Sequence, residues 1–202
     1  MCGDGAAVLI CLSLLLYSAV GRSSDSGGST SPFDFRIAAP LTWNARDPSD
    51  AIETLKRVEL TDPRLQEALK GTRPVVSLSR YRPGEHVGLN PSVHVYVSKT
   101  GDISAAQLLR TARDTESKIL SDYKIVEDVT TTDINGLQAA TYSVTFTTKY
   151  KNGMSYRTFS RTWAIQGGPF MYIIGASGPE DPAPELQNDF NAIISTFRFT
   201  DD

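Results

Sequence analysis

The sequence predicts an α+β domain: an antiparallel sheet of about six to seven strands flanked by helices in an α/β/α sandwich. Three observations carry this. Asn135-Gly136, Asn152-Gly153 and Gly167-Gly168 punctuate a long β-rich region. Such dipeptides suit primed hairpin turns, which need positive φ, so residues 124–134, 137–150, 154–166 and 170–176 make a four-stranded meander. Two stretches of helical period then bracket the meander, one before it and one after. Two such helices can share one face of a sheet or take one face each. The expectation here is one on each face.

The elements follow in order. Residues 33–38, FDFRIA, alternate and end at Pro40, which reads as a first strand. Leu41 and Trp43 are expected to form a hydrophobic plug under the loop that follows. Residues 61–71 read as a short helix, with Asp62 as cap, Pro63 in the first turn and Gly71 as stop. Residues 74–81 read as a strand. RPGEHVGLNP is a loop, because its prolines and glycines break any regular element. SVHVYVSK is then a strand, with Val93, Val95 and Val97 on one face and His94 and Tyr96 on the other.

Ser104 opens the first long helix with a capping box to Gln107, and Leu108, Leu109, Ala112, Ile119 and Leu120 form its apolar stripe. Within the meander Ala140, Tyr142, Val144 and Phe146 face the core, while Thr141, Ser143, Thr145 and Thr147 face away. Asp181 and Pro182 open the closing helix. Leu186, Phe190, Ile193, Ile194 and Phe197 are spaced for one buried face.

The chain has 202 residues, 40% hydrophobic and 21% charged, which suits one folded domain rather than a disordered chain. A net charge of −3 argues against nucleic acid, which requires a basic face. Residues 6–20, AAVLICLSLLLYSAV, match the hydrophobic core of a secretory signal and are short for a membrane span. Residues 1–21 are therefore expected to be a signal peptide, 22–32 a flexible linker and 33–200 a single domain. Before the apolar run there is no Lys or Arg, so an uncleaved N-terminal anchor is the alternative. Both cysteines, Cys2 and Cys11, lie in this segment. The rest of the chain therefore has no disulfide, thiolate metal site or cysteine nucleophile. Export to a periplasmic, extracellular or lumen-type compartment is the expectation.

Four stretches taken together carry a resemblance. FDFRIAAPLTWNA is the first and NPSVHVYVSK before a helix the second. NGLQAATYSVTFT followed by YRTFSRTWAI is the third, and NDFNAIISTFRF closes the chain. Their order is similar to that of the PsbP-like superfamily, which includes the photosystem extrinsic protein PsbP, the Ran-binding Mog proteins and envelope proteins of the DcrB and LpqN kind. The resemblance implies an antiparallel sheet between helices, in a protein that binds and assists rather than catalyses. It supplies no catalytic residue to carry over.

The residues themselves offer few chemical candidates. His86 and His94 stand eight apart, one in a loop and one on a strand, whereas strand-borne metal ligands favour alternate positions. Ser177, in GASGPED, lacks the G-x-S-x-G spacing of a nucleophile elbow and reads as part of a loop leaving the sheet. The acids of PEDPAPE suit a helix start. On YRTFSRTWAI, Arg157, Phe159, Arg161, Trp163 and Ile165 share one parity. Arginines interleaved with aromatics can recognise a partner by stacking and by bidentate contacts. The binding candidates are thus Arg157, Phe159 and Arg161, with His94 and Tyr96. No catalytic residue, metal ligand or cofactor is expected. The sequence favours a non-enzymatic exported accessory protein that binds an envelope or membrane-associated protein. A small-ligand carrier with a pocket between sheet and helix is the alternative. A hydrolase built on Ser177 or His94 ranks third.

Overall fold

The computed structural model describes residues 5–6, 35–59, 73–99 and 102–200. Its strands are β1 (Gly5–Ala6), β2 (Phe35–Arg36), β3 (Asn44–Ala45), β4 (Val76–Ser79), β5 (Leu89–Asn90), β6 (Ser92–Lys99), β7 (Ser121–Ile134), β8 (Leu137–Lys149), β9 (Ser155–Gly167), β10 (Phe170–Pro179) and β11 (Arg198–Phe199). The helices are α1 (Pro48–Arg57), α2 (Ala105–Ile119) and α3 (Pro184–Ser195).

Seven strands form one sheet in the order β3-β4-β6-β10-β9-β8-β7, and every neighbouring pair is antiparallel. The α+β class and the strand number therefore match the sequence. β2 and β11 pair in a separate ribbon, and β1 lies parallel to β5.

Two apolar clusters fill the two sides of the sheet. On one side Leu108, Leu109 and Ala112 of α2 pack on Tyr96, Tyr142, Val144, Phe146, Ala164 and Ile173, with Ala51 of α1 in the same cluster. On the other, Leu186, Phe190, Ile193 and Ile194 of α3 pack on Val93, Val95, Trp163, Ile165 and Ile174. Period-2 alternation sends Ala164 to the first cluster and its neighbours Trp163 and Ile165 to the second. The layers are thus α1 and α2, then the sheet, then α3.

The hairpins form where the turn chemistry puts them. Asn135 and Gly136 both have positive φ, and Ile134 pairs with Leu137 across them. The third turn is displaced by one residue. Gly167 pairs with Phe170, so Gly168 and Pro169 make the turn. Gly167 has another role: a Cβ there would overlap the rings of Phe199 and Tyr172.

Several expectations are corrected. Of the strand expected at 33–38, the described residues 35–38 do not join the main sheet; Phe35–Arg36 is a strand, and its partner is Arg198–Phe199. Trp43 is buried, donating from Nε1 to Asp189 Oδ2 at 2.9 Å, but Leu41 is fully exposed. Helix α1 follows at once and was not foreseen. Its signal is the same Asp-Pro pair used to place a helix at residues 61–71: Asp47 Oδ1 accepts from Ser49 N at 2.8 Å, and Pro48 begins the helix. The helix expected at 61–71 lies outside the described residues. Ser177 is inside β10, not in a loop, because the strand runs on to Pro179. α3 begins at Pro184, later than expected.

Candidate binding face

The expected binding residues fall on opposite sides of the sheet. Arg157, Phe159 and Arg161 lie on the side of α3, and His94 and Tyr96 lie on the side of α1 and α2. They form two places, not one.

The first place is the part of the α3 side that spans β7, β8 and β9. Here the buried apolar cluster draws on β7 and β8 only near their hairpin, at Ile134 and Ala139. Farther along, polar rows cross the strands. In one row Glu127, Ser143 and Arg161 are register partners across three strands. Ser143 Oγ donates to Glu127 Oε2 at 3.1 Å, and Arg161 Nη2 donates to the same oxygen. Arg161 also lies 6.0 Å above the Trp163 ring. Two rows along, past the Thr145–Phe159 pair, Thr147 pairs with Arg157. Thr147 Oγ1 donates to Asp122 Oδ2 at 2.7 Å, and Arg157 Nη1 donates to Thr147 Oγ1 at 3.2 Å.

Arg157 has a second, stronger partner. Nε donates to Glu180 Oε2 at 2.8 Å, and Nη2 donates to Glu180 Oε1, a bidentate pair. That hydrogen bonding holds the Glu180 carboxyl below the usual carboxylate range and raises Arg157. Both side chains remain about one-third exposed. The arginines are therefore not a free cationic patch. Each guanidinium donates to a carboxylate, and Phe159 is buried between the rows. Beside this face runs the sheet edge, β7, where Ile125 and Val126 are half exposed. Register irregularities interrupt that edge, a device that hinders continuous strand addition.

Glu127 and Glu180 escaped the sequence reading. Glu180 looked like a helix-start acid, yet it caps no helix. Glu127 could be assigned only with the register of β7, which its bulges shift.

The second place is a small pocket on the α1 side. His94 is buried, and its Nδ1 meets Ser77 Oγ at 3.0 Å. Among the described residues Nε2 has no hydrogen-bond partner. A cavity of about 40 Å³ adjoins it, lined also by Arg46, Asp50, Thr54, Asn90 and Ser92. Burial lowers the His94 pKa to about 4, so the ring is neutral at neutral pH. Ser177 is fully buried, with Oγ 3.3 Å from Ser92 Oγ. Ser77 and Ser177 are both buried. Tyr96 packs in the α2 cluster. His86 sits in the loop and stacks on Tyr81 at 4.4 Å. Among the described residues no group of three or more His, Cys, Asp or Glu is placed to hold a metal ion.

The backbone matches LpqN of Mycobacterium tuberculosis, described as involved in cell envelope biogenesis, with a TM-score of 0.53 and 19% identity over 85% of this chain and 87% of LpqN. The chain has the PsbP-like fold. Two further solved structures are similar more weakly. Cyanobacterial PsbP from Synechocystis gives a TM-score of 0.48 at 13% identity over 90% of this chain and 99% of its own. The Ran-binding protein Mog1p of Saccharomyces cerevisiae gives 0.46 at 13% identity over 82% and 90%. No protein-family model and no curated protein sequence matches the chain.

Proposed function

We propose that this chain is a non-enzymatic exported accessory protein that docks an envelope or membrane-associated protein on the β7–β9 face. The observation that carries the reading is the pair of carboxylate-fixed arginines, Arg157 and Arg161, on a part of the sheet where polar rows take the place of a helix. Fixed charges lose little rotamer freedom on binding, and they discriminate among partners by complementarity. The apolar segment at residues 6–20 supports export, and the fold shared with an envelope-biogenesis protein is consistent with it.

The test is affinity capture with the full chain as bait from a native envelope extract, beside the double variant Arg157→Ala/Arg161→Ala. One protein enriched near stoichiometry by the native chain and lost by the variant is the expected result. Equal capture by both baits removes the face from the reading. Substrate turnover by the purified chain would overturn the non-enzymatic part.

A further inference from the structure

A second feature lies toward the other end of the α3 side. β2 and β11 pair so that Phe35 faces Phe199 and Arg36 faces Arg198. The phenylalanines turn inward: Phe35 meets Tyr172 and Phe197, and Phe199 meets Tyr172 at 5.0 Å. The two arginines are left outside, exposed and directly opposite one another. Like charges at one cross-strand pair repel and destabilise the ribbon. Among the described residues neither arginine has an ion pair or a hydrogen-bonded carboxylate, unlike Arg46, Arg80, Arg113, Arg157 and Arg161.

Both arginines line an open groove of about 1370 Å³. Its other walls include Phe35, Ile37, Val75 and Val76, with Asn135 and Thr196 at the end of α3. Val75 is a large apolar side chain left more than one-third exposed. Two cations are thus concentrated at a single register pair, above an apolar trough.

We propose that this groove binds an anionic amphiphile, a molecule with one phosphate or carboxylate head and an apolar tail. The head sits between Arg36 and Arg198, and the tail lies along Ile37, Val75 and Val76. An anion there replaces a repulsive pair by two charge-assisted contacts. The volume exceeds that of ordinary small-molecule sites and leaves room for a chain of several carbons. An acidic peptide fits less well. It would need cations spaced along the groove, and the backbone N–H of Ala38 is already taken by Thr196 Oγ1, which accepts from Ala38 N at 2.8 Å. The site is separate from the β7–β9 face and does not depend on it.

The test is isothermal titration of the full chain with dodecyl phosphate below its micelle concentration. Inorganic phosphate and dodecyl maltoside serve as head-only and uncharged controls. Saturable binding of one dodecyl phosphate per chain is expected, with both controls much weaker. Arg36→Gln/Arg198→Gln should weaken it by about tenfold or more, as expected for losing charge-assisted contacts. Both substitutions are at exposed positions, and an unchanged melting temperature would confirm a folded variant. Val75→Asp should also weaken it while leaving both arginines in place. Absence of binding, equal binding of dodecyl maltoside, or binding indifferent to both variants would overturn the proposal.

Discussion

Arg157 grips Glu180 at two points across the end of the sheet, Nε on Oε2 at 2.8 Å and Nη2 on Oε1. The backbone closes the same corner: Glu180 N donates to Arg157 O at 3.1 Å. The pair ties the exit of β10 to the start of β9. It also fixes one guanidinium on the proposed docking face.

Because both side chains are partly exposed, salt and water screen the pair. Glu180→Gln should therefore shift the melting temperature by no more than about 2 °C. Partner capture should still fall, since Arg157 is released from its rotamer. Scanning calorimetry read beside affinity capture separates the two effects. A large loss of stability with unchanged capture would mark the pair as structural.

His94 makes stability depend on pH. The unfolded ring takes a proton near pH 6.5, while the buried ring resists protonation until about pH 4. Its contribution is full above pH 6.5 and is lost as pH falls from there through 4, by about 3 kcal/mol in all. Urea unfolding at pH 7.5, 6 and 4.5 should show this decline in the native chain. In His94→Gln the decline over that range should be much smaller. A native profile flat from pH 6.5 to 4.5 would contradict the buried neutral ring.

Inside the α2 layer, Tyr142 donates from its hydroxyl to Glu116 Oε2 at 2.8 Å, with both side chains buried. Tyr142→Phe keeps the ring and removes the donor. A loss of about 1–3 kcal/mol is expected, the usual cost when a buried acceptor loses its bond. Equilibrium denaturation would read it, and a neutral result would show that Glu116 is satisfied without Tyr142.

Gly167 tests the packing of the β2–β11 ribbon. Ala at this position places a Cβ in the Phe199 and Tyr172 rings. Overpacking of this kind costs about 1–3 kcal/mol. Gly168→Ala, by contrast, meets no neighbouring atom, and only its positive φ opposes it. A Gly167→Ala variant as stable as the native chain would place the ribbon elsewhere.

Much of the fold was legible because period and turn chemistry are local. Tyr142, Val144 and Phe146 announce their face by alternation, and Asn135-Gly136 announces its hairpin. Leu186, Phe190, Ile193 and Ile194 announce a helix stripe that is buried, while Phe197, expected on it, is buried just past the end of α3. The site was less legible, because it depends on register between strands. Arg157 and Arg161 were visible as an alternating pair. Their counter-charges come from Glu180 beyond the next strand and Glu127 across two strands, past bulges that no local pattern locates. Grouping His94 with Arg161 failed for a similar reason, since parity within a strand does not say which side of the sheet another strand's residues share. The Arg36–Arg198 pair joins the two ends of the described domain, and its partners are 162 residues apart by number.

The most direct measurement of the docking face is affinity capture with the charge-swapped variant Arg157→Glu/Glu180→Arg. The swap remakes the Arg157–Glu180 pair in reverse while setting a carboxylate at position 157 beside Asp122, so the domain should still fold cooperatively, at a somewhat lower melting temperature, while presenting inverted charges. Loss of the partner captured by the native chain is the expected result. Undiminished capture by a folded swap variant would contradict docking on this face.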